Sequence, residues 1–366
     1  MSQEYLIRII LMVITTFSVS AIVMPLIIKI ANHIGAIDRP RDEQGNRHIH
    51  KQATPKFGGM AIYISFLVGY MLFGVHSIQM NAILIGSFFI IFTGMIDDIN
   101  SLKPKEQLIG QIAASLVIIF YGGILLNKLT FFGITINFGI LSYLVTLIFI
   151  VGCINIIRLI DGLDGLSGGI TSIFFLTIGI ISFIQQRYGT LEITLTFIML
   201  GATLGFLLYN FNPAKTFAGE TGATFLGYII AVISLLGFKG TMLTSIIVPL
   251  ITLSIPILDT AFAIIRRIIK HKKITEGDRD HMHHQLLKMN FSQRKTVLIV
   301  YLIDLLFSIA SIIYNVQGRK LGIIIYVVLF VIVIWFILHT SIISPEIEKK
   351  TKKFESKILR RGKTTK

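Results

Sequence analysis

The chain has few charged residues and a single cysteine, and each shortage excludes a common class of protein. Only 14% of its 366 residues are charged while 54% are hydrophobic, a balance that ordinary soluble globular proteins do not show. The one cysteine, Cys153, excludes an intramolecular disulfide and has no partner for a cysteine-based metal site. The sequence therefore indicates a membrane protein whose chemistry depends on other side chains.

Long apolar runs recur along almost the whole chain. A bilayer core of about 30 Å needs roughly 17 to 25 residues per helix, and irregular backbone is tolerated in lipid only where it is shielded. The first run contains Pro25 and lacks a small-residue cleavage site, so we interpret it as a retained span. We predict an all-α polytopic membrane protein with eleven transmembrane helices, near residues 9–28, 57–74, 80–96, 108–126, 138–157, 167–184, 191–209, 222–238, 242–265, 296–314 and 321–343.

The distribution of basic residues predicts the orientation. Alternate loops, together with the tail from Ser344, carry most of the 34 Lys and Arg residues, and such residues gather on the cytoplasmic side. This places the N-terminus outside and the C-terminus in the cytoplasm. We expect one integral-membrane domain at 1–343 and a basic cytoplasmic tail at 344–366. The net charge of +15 suits membrane lipid headgroups better than nucleic acid, because the basic residues are shared among loops and tail.

The unusual polar clusters all fall in that same set of loops, so we expect them to share one face. A transporter would instead need ionisable groups near mid-membrane, where only Asp304 clearly lies. The external loops are plain, except that NKLTFFGITINFG alternates in a way that predicts a small hairpin. The clusters are GAIDRPRDEQGNRHIHKQATPKFGG at 35–59, IDDINSLKPKEQ at 96–107, NIIRLIDGLDGL from Asn155, NFNPAKTFAGETG at 210–222 and RRIIKHKKITEGDRDHMHH at 266–284.

The acidic residues suit phosphoryl transfer, although each also has a structural explanation. Asp97 and Asp98 could be a solvated helix end, but Mg²⁺ is held by one or two carboxylates plus phosphate oxygens, which such a pair supplies. DGLDGL could be a glycine-rich turn. Its spacing would place Asp161 and Asp164 on one face if the segment is helical, and its glycines would let a ligand approach the backbone.

The histidines of HMHH, which are His281, His283 and His284, lie in a strongly basic loop. Zinc is the rival ligand, but the spacing lacks the i, i+4 pattern of a typical zinc helix. Neighbouring arginines, including Arg266, favour recognition of phosphate. A surface loop without a role in the site remains the alternative.

These motifs resemble the polyprenyl-phosphate N-acetylhexosamine-1-phosphate transferases. The likeness covers roughly residues 31–295, and the HxHH form is similar to members that use UDP-N-acetylglucosamine, such as those starting wall teichoic acid. The alternative is the peptidoglycan branch, which uses UDP-MurNAc-pentapeptide. The matching motifs, in order, are HxxxxxPKFGG from His50, DD at 97 and 98, NxxxxxDGLDGL from Asn155, NFxPAKxFxGxTG from Asn210, LDTxFAIIRR from Leu258 and HMHH from His281.

The resemblance implies transfer of N-acetylglucosamine 1-phosphate from the UDP-sugar to undecaprenyl phosphate, with release of UMP, in the bacterial cytoplasmic membrane. It implies Mg²⁺ as the cofactor, with Mn²⁺ as the substitute, and a hydrophobic groove through which the lipid enters sideways. The lipid phosphate could attack directly, which we favour, or through an aspartyl phosphate. The implied residues are Asp97, Asp98 and Asp161 for catalysis, Glu220 and Asp97 for the metal ion, and His50, Lys56, Asn155, Asp164, Phe217, Arg266, His281, His283 and His284 for the substrates, with Phe217 against the uracil ring.

Three positions depart from the family pattern. Glu220 stands in GETG where the family usually has GDTG, Arg158 replaces a second Asn before DGLDGL, and Gln107 replaces a Lys that commonly follows DD. We hypothesise that Arg158 pairs with Glu220, either restoring neutrality or partly replacing the metal ion. The departures keep open a catalytically weak binding or scaffold protein. No motif establishes an oligomer, so a homodimer is an open alternative.

Overall fold

The computed structural model describes residues 3–38, 53–131, 134–237, 247–269, 286–287, 289–316 and 319–339. The architecture is that of an all-α multi-pass membrane protein. Within the described ranges, seven helices are long and apolar enough to cross a bilayer. The other four predicted spans coincide with shorter helices or helix pairs, so the number eleven and the orientation remain predictions.

The chain divides into two compact units, Met1–Leu250 and Ile251–Lys366. This division differs from the expected boundary at residue 343, which stays a prediction. The helices of the first unit are α1 (Gln3–Ile34), α2 (Gly59–Phe73), α3 (Ile78–Ile99), α4 (Pro104–Leu116), α5 (Ser142–Ile160), α6 (Leu166–Ile184), α7 (Leu191–Asn210) and α8 (Gly219–Gly237), and α9 (Ile247–Thr252) lies at its end. The second unit contains α10 (Ser254–Ile269), α11 (Gln293–Val316) and α12 (Arg319–His339).

Two short antiparallel ladders accompany the helices of the first unit. Strands β1 (Ile37–Asp38) and β2 (Thr54–Pro55) pair before α2. Strands β3 (Lys128–Phe131) and β4 (Ile134–Asn137) form the hairpin predicted from the alternating sequence, with Lys128 opposite Asn137. The period-two pattern is therefore confirmed as the signal of a local hairpin.

Helix α8 is the central helix of the first unit. It packs against α2, α3, α5 and α7, and its residues from Thr221 to Leu236 are buried. Small residues allow this packing: a Cβ added at Gly94 of α3 would lie 2.6 Å from Thr221 Cα. Such close approach is the usual way in which membrane helices gain contact without a hydrophobic driving force between them. The first turn of α8 is thereby held firmly by its neighbours.

Two predicted spans take a different form in the structure. The run near 108–126 begins earlier, at Pro104, where the Glu106 side chain accepts a hydrogen bond from Lys103 N at 2.8 Å, and it ends in a π-helical turn at Val117–Tyr121. The run near 242–265 is interrupted at Leu253, between α9 and α10. Hydropathy identifies the apolar runs, but it does not show where a helix is capped or interrupted within a run.

Asp304, in the middle of α11, is fully buried. Neither of its carboxyl oxygens has a hydrogen-bond partner in the part of the chain that the structure describes. Because an unpaired buried polar group costs about 1–3 kcal/mol, we expect Asp304→Leu to raise the thermal unfolding temperature in detergent. Asp304→Asn is the control and should bring no such gain. A lower unfolding temperature for Asp304→Leu would show that the carboxyl group has a stabilising partner.

Candidate active site

Five helix ends meet at one end of the first unit. The C-terminal ends of α3 and α5 lie against the N-terminal ends of α2, α6 and α8, as contacts between their terminal residues show. Gly59 N donates to Ala218 O at 2.9 Å, and Glu220 N donates to Asp98 Oδ1 at 2.8 Å. The prediction that the polar clusters lie together is confirmed for the described parts of four of them, and the cluster at 35–59 is described only at 35–38 and 53–59.

Asp98 holds the first turn of α8. Its Oδ1 accepts from Glu220 N, and its Oδ2 accepts from Thr221 N at 3.0 Å and from Thr221 Oγ1 at 2.6 Å. The side chain is almost completely buried. A carboxylate that accepts hydrogen bonds from exposed backbone N–H groups at a helix N-terminus is stabilised by them and by the helix dipole. Both oxygens of Asp98 are thus engaged within the protein.

Asp97 is held differently, although it is the adjacent residue. Only its Oδ1 accepts hydrogen bonds in the described part of the chain, from Leu102 N at 2.5 Å and from Gln107 Nε2 at 3.0 Å. Asp97, Gln107 and Glu220 line a common small pocket. The Gln107 Oε1 atom is buried and has no hydrogen-bond partner among the described residues. Asp97 therefore has one oxygen that accepts no hydrogen bond from the described residues, and the residue lines this pocket.

Arg158 and Glu220 form the ion pair that the sequence predicts. Arg158 Nε lies 2.8 Å from Oε1 and 2.6 Å from Oε2 of Glu220, and each side chain is 26% exposed. Arg158 belongs to the last turn of α5, which extends to Ile160, and Glu220 to the first turn of α8. The pair joins the two helix ends that face each other across the site.

The DGLDGL segment forms a tight turn rather than a helix. Residues 161–165 connect α5 to α6, and Gly165 adopts a φ of +83°, which glycine tolerates without steric cost. Asp164 Oδ2 accepts from Asn212 Nδ2 at 2.8 Å and from Ala214 N at 3.1 Å. The helical arrangement considered for Asp161 and Asp164 is therefore not formed, and Asp164 anchors the 212–214 loop instead.

Asp161 closes the C-terminal end of α5, and its Oδ1 accepts a hydrogen bond from Ser167 Oγ at 2.5 Å. Burial raises the pKa of Asp161 from 3.8 to about 6, with smaller raising effects from the carboxylates of Glu220 and Asp164 and a lowering effect from the hydrogen bond of Ser167. The carboxyl group is therefore charged above pH 6 and increasingly neutral below it. Its electrostatic coupling to Glu220 places it at the same site.

Lys56 and Phe217 stand beside the acidic residues. Both side chains are half-buried. Phe217 N donates to Pro55 O at 2.8 Å, and Gly58 N donates to Phe217 O at 2.9 Å. These two backbone hydrogen bonds link the segment before α8 to the segment before α2. Lys56 interacts electrostatically with Asp98 and Glu220. A cation and an aromatic ring are thus held at the rim of the acidic cluster.

Gln111 also belongs to this network, although no sequence motif indicated it. Asn155 Nδ2 donates to Gln111 Oε1 at 2.7 Å and to Val151 O at 2.8 Å, so the amide nitrogen of this expected substrate-binding residue is engaged within the protein. Gln111 is buried one turn after Gln107 on α4 and lines the same pocket. The i, i+4 spacing of two glutamines on a helix entering an apolar run was the available signal.

The remaining expected site residues lie outside the described residues. They are His50, His281, His283 and His284, together with the side chain of Arg266, of which only the backbone in α10 is described.

The residues present fit a hard divalent cation. Asp97, Glu220 and Gln107 line one pocket, and their side chains carry oxygen atoms, which is the ligand type that Mg²⁺ prefers. The described residues include no group of three or more His, Cys, Asp and Glu side chains that could hold a metal ion alone. In phosphate-transfer enzymes, Mg²⁺ is usually bound by one or two protein carboxylates, and substrate phosphates and water complete its coordination shell.

Comparisons with known proteins agree with a transferase site. Residues 80–238 match the family described as glycosyl transferase family 4. The chain is 36% identical, over 99% of its length and 100% of the relative, to a probable undecaprenyl-phosphate N-acetylglucosaminyl 1-phosphate transferase of Bacillus subtilis. It is 29% identical to a decaprenyl-phosphate N-acetylglucosaminephosphotransferase of Mycolicibacterium smegmatis, over 75% of this chain and 74% of the relative. It is also 30% identical to a phospho-N-acetylmuramoyl-pentapeptide-transferase of Listeria monocytogenes, over 82% and 97% respectively.

Proposed function

The chain belongs to glycosyl transferase family 4, and from this premise we propose that it transfers N-acetylglucosamine 1-phosphate from UDP-N-acetylglucosamine to undecaprenyl phosphate. The protein is a multi-pass membrane enzyme, a glycosyl-1-phosphate transferase. The observation that carries this conclusion is the 36% identity over 99% of the chain to a relative named for that reaction. The relative named for the pentapeptide donor is 30% identical over 82% of the chain, which makes that donor the second candidate.

The helix ends support a diphosphate substrate. The N-terminal ends of α2, α6 and α8 meet at the site, and a helix N-terminus carries a partial positive charge together with exposed N–H donors. Asp98 occupies some of the donors of α8. The positive potential that remains at these helix ends, together with the Lys56 ammonium group, attracts an anionic ligand. It offsets part of the repulsion from the nearby carboxylates. This arrangement suits the UDP-sugar on the cytoplasmic side of the bacterial membrane.

We assign different duties to the acidic residues. Asp97 and Glu220, with Gln107 Oε1, would hold Mg²⁺, or Mn²⁺ in its place. The ion supplies positive charge that stabilises the transferring phosphate groups. Asp98 is a positioning residue, because its oxygens hold α8. Asp161 acts at the phosphates, Asp164 shapes the nucleotide-binding loop, and Phe217 packs against the uracil ring.

The reaction follows as a direct displacement. An oxygen of the lipid phosphate attacks the sugar-bearing phosphorus of the UDP-sugar, and the bond from that phosphorus to the bridging oxygen breaks, so UMP leaves. A phosphate monoester, such as the lipid phosphate, has a second pKa of about 6 and is already mostly dianionic at pH 7. The protein therefore needs no strong base to activate it. Detection of a phosphorylated aspartate during turnover would refute this direct path.

The test is UMP release by the purified protein in detergent, with undecaprenyl phosphate and UDP-N-acetylglucosamine. We expect turnover that stops when Mg²⁺ is chelated and returns when it is restored. Asp97→Asn should lower kcat by about 10²–10³-fold, the cost of losing one preorganised electrostatic contact in a transition state. UDP-MurNAc-pentapeptide as the donor distinguishes the second candidate. Silence with both donors would favour a binding or scaffold protein.

A further inference from the structure

Arg158 uses only part of its hydrogen-bonding capacity on Glu220. Its Nε contacts both carboxylate oxygens of Glu220, at 2.8 and 2.6 Å. Its Nη1 and Nη2 have no hydrogen-bond partner in the described part of the chain. These two nitrogens carry four N–H donors. The Arg158 side chain as a whole is about three-quarters buried at the site.

The contact of Nε with Glu220 fixes the orientation of this guanidinium group. Glu220 holds Arg158 through Nε, and the Glu220 backbone is itself held by Asp98 Oδ1. A guanidinium group that is held at Nε keeps its planar Nη edge for a second acceptor with two oxygens. Phosphate fits this requirement because its oxygens accept two parallel N–H bonds from arginine.

The surrounding charges make basic side chains scarce at the site. Asp97, Asp98, Asp161, Asp164 and Glu220 crowd the site, whereas Lys56 and Arg158 are the basic side chains placed there among the described residues. These carboxylates repel any further anion, so the phosphate groups that the substrates bring to the site need basic side chains to compensate their charge. Arg158 is the basic residue with the most unused donors.

We propose that Arg158 binds a phosphate group of the substrate through Nη1 and Nη2, with Glu220 as the residue that positions it. This inference rests on the proposed function, which supplies the phosphate. The group is either in the diphosphate of the UDP-sugar or the terminal phosphate of the polyprenyl acceptor, and the chemistry of recognition is the same. The ion pair at the site is therefore a substrate-binding device in addition to a link between α5 and α8.

The experiment measures the two sources separately. Binding of UDP-N-acetylglucosamine to the detergent-solubilised protein is followed by calorimetry without added metal ion, and KM for undecaprenyl phosphate is taken from UMP release. Arg158→Gln should weaken one of the two by about 10- to 100-fold, as expected for charge-assisted hydrogen bonds. Arg158→Lys should recover only part of the loss, because it keeps the charge without the planar fork.

A double variant separates phosphate binding from a merely structural ion pair. Arg158→Gln with Glu220→Gln replaces the pair by two neutral amides of similar shape, so α5 and α8 can remain linked. Because Glu220 is also assigned to the metal ion, the affinity of this variant is measured by calorimetry without metal ion, and we expect it to stay low even where the unfolding temperature recovers. Recovery of both would overturn the proposal. Arg187→Gln is the matched control, because Arg187 Nη1 lies 2.6 Å from Glu192 Oε1 at the opposite end of α6, and its substrate affinities should equal those of the wild type.

The outcomes for this inference and for the proposed function are distinct. A wild-type protein that releases no UMP with either donor contradicts the proposed function. An active wild type whose Arg158→Gln variant keeps both affinities within about twofold contradicts only the role of Arg158. Loss of affinity in both the single and the double variant supports it.

Discussion

Gly219→Ala is expected to remove most of the transfer activity. Gly219 precedes Glu220 and has a φ of +70°, a conformation that costs a residue with a Cβ about 1–2 kcal/mol. The added methyl group would also lie 2.6 Å from Oδ2 and 2.7 Å from Oδ1 of Asp98, and against Lys56 O. Because these neighbours are buried or part of the backbone, α8 must shift, and displacement of reacting groups by about 1 Å can cost roughly 10²-fold in rate.

Gly189→Ala is the matched control for this prediction. Gly189 has a φ of +75°, but a Cβ added there meets nothing within 4 Å. It therefore carries the same conformational cost without the collision. UMP release and thermal unfolding of the two variants should show that Gly189→Ala keeps near wild-type activity while Gly219→Ala loses it. Equal activity in both would mean that the contact between Gly219 and Asp98 does not position the site.

The helices were predictable because the apolar runs are long and local. The run around Met199 becomes α7 within one residue of the expected bounds, and the run around Ala21 becomes α1, which extends six residues further at each end. The hairpin at Lys128–Asn137 was predictable for the same reason, since its alternation is read within one segment. The length of the apolar runs and one local alternation therefore indicated most of the secondary structure of the described residues.

The features that sequence missed depend on contacts between distant segments. Asp98 and Glu220 are 122 positions apart, and no local pattern shows that the carboxylate of one holds the backbone of the other. The turn at 161–165 depends likewise on Asn210, whose Oδ1 accepts from Gly165 N at 3.0 Å. A three-residue spacing of aspartates could not reveal this partner.

The ion pair of Arg158 and Glu220 was predictable for a different reason. Both residues depart from the family pattern at positions implied to lie near the metal ion, and opposite charges introduced at one site compensate each other. The structure confirms the contact at 2.6 Å. Paired departures from a family pattern therefore carried long-range information that periodicity did not.

The adjacent residues Asp97 and Asp98 give the second large expected effect, because the same change should damage them in different ways. In Asp98→Asn, one of the two acceptor oxygens becomes an NH₂ group that faces the donors of Thr221 or Glu220. A buried donor left without an acceptor costs about 1–3 kcal/mol. We expect Asp98→Asn to lose activity and also to unfold at a clearly lower temperature in detergent.

Asp97→Asn should lose activity while keeping its stability. Its Oδ1 can still accept from Leu102 N and Gln107 Nε2, and the new NH₂ group takes the place of the oxygen that has no hydrogen bond from the described residues. The change thus removes charge at the pocket and little else. Thermal unfolding and UMP release of the two variants, measured side by side, separate the roles. If Asp98→Asn unfolds at the wild-type temperature and is nonetheless inactive, Asp98 acts at the reacting phosphates, because a residue whose loss spares the fold is not holding α8.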